Sequence, residues 1–146
     1  MMITFHTTRR VEFAHTDMAG IVHFAQFFNY MEEAEHEFLR SRGLSVVMTH
    51  AGRRIGWPRV AASCDYYKPA FFEEVLDIDL TLARIGAKSL TFVTEFRKQG
   101  ELIAKGQITT CCCIVEPGQT VRSIELPAEI RQKLEAAPPP AHDREA

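Results

Sequence analysis

One carboxylate and one glycine stand just ahead of an amphipathic stretch, in the run Asp17-Met18-Ala19-Gly20-Ile21-Val22-His23-Phe24. A helix that begins there presents unpaired backbone N–H groups and partial positive charge, which hold an oxyanion while a nearby Asp acts as nucleophile or general base. That is equipment for attack on a carbonyl. His23 adds a ring that can orient substrate, exchange a proton near neutral pH, or merely cover the helix start. Each residue also has a plain reading. An Asp before a Gly often hydrogen-bonds its own backbone in a turn, and Gly20 can simply supply a positive φ.

The helix that must position these groups is read from spacing. Phe24, Phe27, Phe28, Met31, Phe38 and Leu39 recur at helical intervals, with Gln26, Asn29, Glu33, Glu37 and Arg40 on the other side. Gly43 ends it, after Arg40 and Arg42 in the last turn. Glu35 projects into the apolar stripe, so it needs a partner or a wet interface. Residues 45–52 read as a short second helical turn or a loop, followed by exposed Arg53 and Arg54. Then the period changes. Residues 57–67, 75–85, 89–97 and 101–115 are rich in β-branched and aromatic side chains, with hairpin signals at Gly86, Gly100 and Pro117-Gly118. Gly106 reads as a bulge that bends the last long strand. Leu126-Pro127 opens a final helix to about Leu134, with Pro127 at its first position.

With 146 residues, 46% of them hydrophobic, the chain is long enough for one core and too short for two ordinary domains. A net charge of −2 gives no electrostatic reason to expect a nucleic-acid partner. No segment has the apolar length of a membrane span, and residues 1–10 lack a signal-peptide core, so a cytoplasmic protein with no membrane partner is expected. The consecutive Cys111-Cys112-Cys113 suit a strand, with Cys111 and Cys113 on one face and Cys112 on the other. Neither they nor Cys64 have metal-ligand spacing, so reduced core thiols are expected, with no metal and no cofactor.

Several segments together carry a resemblance: Val11-Glu12-Phe13, the Asp17 to Phe24 run, Asn29-Tyr30-Met31-Glu32, Tyr66-Tyr67-Lys68-Pro69-Ala70, Glu74-Val75-Leu76 and Lys88-Ser89. They resemble the 4-hydroxybenzoyl-CoA thioesterase family of hot-dog proteins. The resemblance implies an α+β fold in which a curved antiparallel sheet wraps one long helix. It assigns residues 1–134 to a single hot-dog domain and leaves 135–146 as a Pro-rich polar tail.

The activity that the resemblance implies is acyl-CoA hydrolysis to free acid and CoA. Asp17 is then nucleophile or general base, and the backbone N–H of Phe24 holds the carbonyl oxygen. Gly20, Val22, His23 and Ser63 bind substrate, beside Tyr66, and Glu32 orients groups behind the site. Arg84 and Lys88, flanking the Gly86 hairpin, are the basic rim for the CoA phosphates, ahead of Arg53, Arg54 and Lys68. The geometry of His15, in the approach loop, stays open. The family pairs sheets edge to edge in dimers, with sites at the subunit interface, and commonly pairs again to tetramers. A homodimer or homotetramer follows, with Glu35 facing such an interface.

Two further readings stand beside this one. A hot-dog hydratase or dehydratase is weakened because six positions separate Asp17 from His23, one more than is typical there. A non-catalytic acyl-thioester-binding protein would have no use for the Asp17 carboxylate. No Gly-x-Ser-x-Gly elbow occurs, so serine hydrolase chemistry is unsupported. The acyl group stays open between aryl and aliphatic.

Overall fold

The computed structural model describes residues 3–136, so the expected tail lies, from residue 137 on, outside the described residues. In chain order the elements are β1 (Ile3–Arg10), a 3₁₀ turn (Phe13–His15), α1 (Gln26–Ser41), β2 (Met48–His50) and β3 (Arg53–Gly56). There follow β4 (Arg59–Tyr66), β5 (Val75–Ile85), β6 (Ser89–Lys98), β7 (Glu101–Cys111), β8 (Cys113–Ile114), β9 (Arg122–Ser123) and α2 (Ala128–Glu135). Five strands form an antiparallel sheet in the order β1-β5-β6-β7-β4, and a smaller sheet runs β2-β3-β8-β9.

Alternation drives the main sheet. Leu76, Ile78, Leu80 and Leu82 of β5 are buried, while Asp77, Asp79 and Thr81 take the outer face; Leu90, Phe92, Thr94 and Phe96 repeat the pattern on β6. The helix α1 lies on the inner face and buries Phe27, Tyr30, Met31, Ala34, Phe38 and Leu39. Each large apolar side chain so buried contributes about 1.5–3 kcal/mol. The core has two parts. Phe38 and Leu39 pack with Ile55, Leu82 and Phe92 and with Ile130 and Leu134 of α2, whereas Phe27, Tyr30 and Met31 pack with Val11, Val22, Ala70 and Phe96. The second cluster underlies the Asp17 loop. Arg9 of β1 fastens the outer side of the helix, through Glu33 at 3.0 Å and Glu37 at 2.5 Å.

Several expectations are corrected. The helix begins at Gln26, with Ala25 as N-cap, so Phe24 precedes it and is 63% exposed instead of joining the buried stripe. Residues 45–52 hold no helical turn. They lead into the β2–β3 hairpin, whose Ala51-Gly52 corner has φ of 51° and 75°, the signature of a tight two-residue turn. Gly106 is not a bulge: it pairs in register with Cys64 and Thr94. A Cβ there would overlap Met31 Sδ and lie 2.7 Å from its Cε, so the glycine makes room for the helix. Register shifts instead leave one residue unpaired at Val60 of β4, at Ala83 of β5 and at Ile103 of β7, opposite Phe96 and Arg97.

The strict cysteine alternation fails as well. Cys112 interrupts the ladder, its N–H donating to Lys88 O at 2.7 Å, and both Cys112 and Cys113 are buried; all four cysteines are free thiols. Pro127 is the N-cap of α2, one place before the expected position. Glu35 finds its partner inside the chain, in Arg59 Nη1 at 2.6 Å, so an intersubunit contact is not needed to explain it.

Candidate active site

Residues 17–21 form a loop closed at its base by the bridge between Thr16 and Val22. The Asp17 N–H donates to Ile21 O and the Gly20 N–H donates to Asp17 O, both at 2.9 Å. The Asp17 carboxylate takes part: Oδ1 accepts the Ala19 N–H at 2.9 Å. The turn-forming role and a chemical role are therefore compatible, since Oδ2 has no hydrogen-bond partner among the described residues. Gly20 has a φ of +80°, and nothing lies within 4 Å of where its Cβ would be. Its conformation requires glycine, and the space beside it is open.

Neighbouring elements fix this loop on both sides. Ile21 bridges to Phe71, and the Val22 N–H donates to Ala70 O at 2.9 Å. The 69–71 segment is itself held by Lys98, whose Nζ reaches Pro69 O at 3.2 Å and Glu74 Oε2 at 3.1 Å. On the other side the His23 N–H donates to His15 O at 2.9 Å. The ring of His15 accepts at Nδ1 from the Glu12 N–H at 3.1 Å and lies 2.8 Å from the Tyr30 hydroxyl. A backbone N–H can only donate, so the ring proton is assigned to Nε2. Tyr30 is fully buried, and burial pushes its hydroxyl up to about 12, so it stays protonated.

Between the loop and the end of β4 opens an apolar cleft of about 490 Å³, walled by Asp17, Phe24, Phe27, Tyr66, Tyr67 and Pro69 among others. Phe27 meets Tyr66 edge to face, with centroids 5.4 Å apart. Phe24 stacks on the His23 ring at 4.6 Å. The Phe24 carbonyl accepts the Tyr66 hydroxyl at 2.8 Å, and the Ala25 N–H donates to His23 Nδ1 at 3.1 Å. The Phe24 N–H has no partner among the described residues. Burial, and then Cys64, push the Tyr66 hydroxyl up to about 12, which keeps it a donor.

The residues expected at the site divide into two groups. Asp17, Val22 and Phe24 line the cleft, with Gly20 in the same loop; His23 is not part of the lining but stacks on Phe24. Ser63 does not join them: it stands three places before Tyr66 on β4, so alternation turns it to the opposite face of the sheet. Arg84 and Lys88 lie away from the cleft of their own chain. They sit at the far end of β5, whose 11 residues span about 35 Å from the cleft end. Lys68 is the basic side chain at the cleft, paired with Glu101, and Glu32 pairs with Arg59 at 3.5 Å on the helix surface. The spacing of Phe27 and Tyr30 already carried a signal for Tyr30; nothing local could announce that the Tyr66 hydroxyl reaches Phe24. Among the described residues no group of His, Cys, Asp and Glu is arranged to hold a metal ion. None of their helices is long and apolar enough to cross a membrane.

Comparison with known proteins decides the family, because the profile of the thioesterase-like superfamily matches residues 11–134. The chain belongs to that superfamily. A 1,4-dihydroxy-2-naphthoyl-CoA hydrolase of Nostoc punctiforme is 32% identical over 133 residues, which cover 91% of this chain and 88% of that one. The crystal structure of a protein of Aquifex aeolicus superposes with a TM-score of 0.76 at 30% identity, over 90% of this chain and 99% of that one. A gentisyl-coenzyme A thioesterase superposes with a TM-score of 0.74 at 27% identity, over 90% of this chain and 99% of the other. The α+β hot-dog architecture and the resemblance read from the Asp17 run are thus both upheld.

Proposed function

We propose that the protein is an acyl-CoA thioesterase that uses Asp17 and the Phe24 N–H on an aryl thioester. The observation that carries this reading is the cleft itself: its aromatic-walled lining includes Asp17 and Phe24, and among the described residues Asp17 Oδ2 and the Phe24 N–H have no hydrogen-bond partner. A thioester needs little more. Sulfur donates poorly into the carbonyl, and the thiolate leaves readily. Asp17 attacks the carbonyl to give a mixed anhydride that water hydrolyses, or it draws a proton from an attacking water; CoA departs as the thiol in either case. The Phe24 N–H receives the carbonyl oxygen as negative charge develops there.

An aryl acyl group suits walls made by Phe24, Phe27, Tyr66 and Tyr67. The Nostoc punctiforme relative and the gentisyl-CoA thioesterase are both named for hydroxyaryl CoA thioesters, which supports the same choice. The distant Arg84 and Lys88 fit if two chains pair through β4. That strand is an edge of the main sheet, and Arg59 lies level with Thr110 and Leu90 at the Gly86 end. Antiparallel pairing of two copies through β4 brings the hairpin end of one copy toward the Tyr66 end of the other. The hydratase reading loses further ground, because His23 Nδ1 is engaged with the Ala25 N–H. Thiol release from a panel of aryl and aliphatic acyl-CoAs tests the proposal. Aryl thioesters should be preferred in kcat/KM, and absence of thiol release from every member would refute it.

A further inference from the structure

Resting on that assignment of the Phe24 N–H, we infer that Tyr66 and His23 are positioning residues that pin the Phe24–Ala25 peptide from both sides and so aim the Phe24 N–H into the cleft. The carbonyl of this peptide accepts the Tyr66 hydroxyl at 2.8 Å, and its N–H donates to His23 Nδ1 at 3.1 Å. A peptide is planar, so holding both polar groups fixes ψ of Phe24 and φ of Ala25 together. The preceding peptide, which bears the Phe24 N–H, is held by its carbonyl: His23 O accepts the Gln26 N–H at 2.9 Å. On these successive peptides only the Phe24 N–H is left without a partner among the described residues.

The helix cannot supply this hold by itself. Its N-cap is Ala25, which has no side-chain acceptor, and regular helix starts only at Gln26. The His23 ring instead accepts the N–H of the N-cap residue Ala25 itself, and Tyr66 ties the same peptide to the end of β4. Both tethers also meet aromatic neighbours, His23 stacking on Phe24 at 4.6 Å and Tyr66 packing on Phe27 at 5.4 Å. An oxyanion donor accelerates a reaction only if it is in place before charge develops. Freeing the peptide therefore raises the barrier while leaving ground-state binding, made mostly by the apolar walls, nearly intact.

The test measures thiol release from an aryl-CoA by wild type, Tyr66→Phe, His23→Leu, His23→Asn, the double variant Y66F/H23L, and Asp17→Asn as reference. Tyr66→Phe and His23→Leu should each lower kcat about tenfold with KM within about twofold, less than complete loss of an oxyanion donor. Because either loss already frees the peptide, the double variant should fall about 10- to 30-fold, short of the hundredfold product. His23→Asn, whose Oδ1 reaches the N–H two residues on, should recover most of the loss of His23→Leu.

A readout independent of turnover comes from ¹⁵N spectra of the His23 ring and exchange of the Ala25 amide. In neutral wild type the ring should be protonated at Nε2 with Nδ1 as acceptor, and the amide should be protected in wild type but not in His23→Leu. Unchanged kcat in both single variants, a multiplicative double variant, or an Nδ1-protonated ring would overturn the clamp. If wild type releases no thiol, or Asp17→Asn equals it, the thioesterase reading fails instead, and the ring and amide signals still decide whether the peptide is pinned.

Discussion

At the scale of single residues, the two oxygens of Asp17 differ: Oδ1 closes the loop through the Ala19 N–H, and Oδ2, without a hydrogen-bond partner among the described residues, is the one the proposed mechanism uses. Asparagine keeps the first and loses the second. Asp17→Asn should fold like wild type yet lower kcat by about 10² or more, whereas Asp17→Ala should also lose about 1 kcal/mol of stability. Thiol-release kinetics beside urea melts separate these outcomes, and wild-type turnover in a folded Asp17→Asn protein would sink the mechanism. Glu35 makes a pH prediction. It is 2% exposed, and burial pushes its carboxyl up to about 7 from 4.5, against the pull of Arg59. The 2.6 Å ion pair favours the charged form, but Oε1 is buried without a partner among the described residues, so the upward direction holds. A carboxyl raised in the folded state holds its proton longer there than in the unfolded chain. Its stabilising contribution is complete below about 4.5 and is lost as pH rises through about 7. Urea melts should show this decline in wild type and a flatter profile in Glu35→Gln. The sequence already marked Glu35 as a misfit, because its position on the helical stripe is local information. Its partner Arg59 lies 24 positions on, and no periodicity links the two.

At the scale of elements, what was legible is what repeats. Leu76, Ile78, Leu80 and Leu82 alternate with polar residues, and β5 spans the expected 75–85. The hairpin of β2 and β3 left no such trace, since strands of 3 and 4 residues are too short to display a period. Gly106 stands out in the sequence, but its reason does not. A glycine within a strand signals either a bulge or a close approach, and only the packed helix shows that Met31 makes the approach. Gly106→Ala should therefore destabilise the fold by about 1–3 kcal/mol through overpacking, with strand content unchanged. Denaturant midpoints and circular dichroism would check it, and an unchanged midpoint would contradict the packing argument. The Asp17 loop was legible as a turn before a helix. The tether from Tyr66 was not, because its 42-residue separation from Phe24 is bridged only by the finished sheet.

At the scale of the whole molecule, β4 exposes most of its length along a free edge, and Val60, Ala61 and Ala62 give that edge apolar character. Such edges invite pairing. Light scattering at micromolar concentration should find a dimer or a higher even assembly, and a monomer would contradict the β4 pairing. If the second copy brings Arg84 and Lys88 to the nucleotide end of CoA, replacing both with Ala should raise KM, spare kcat, and matter less at high salt. A thioester of N-acetylcysteamine, which lacks the nucleotide, should not sense the change. The packing of Met31 against Gly106 has one more consequence, for chemistry far from hydrolysis. Met31 is 1% exposed, whereas Met18, beside Asp17, is fully in solvent. Mild peroxide should convert Met18 to its sulfoxide at once and reach Met31 only as fast as the protein opens. The mass of the peptide that contains Met31 then becomes a clock for unfolding, with Met18 as its built-in dose meter.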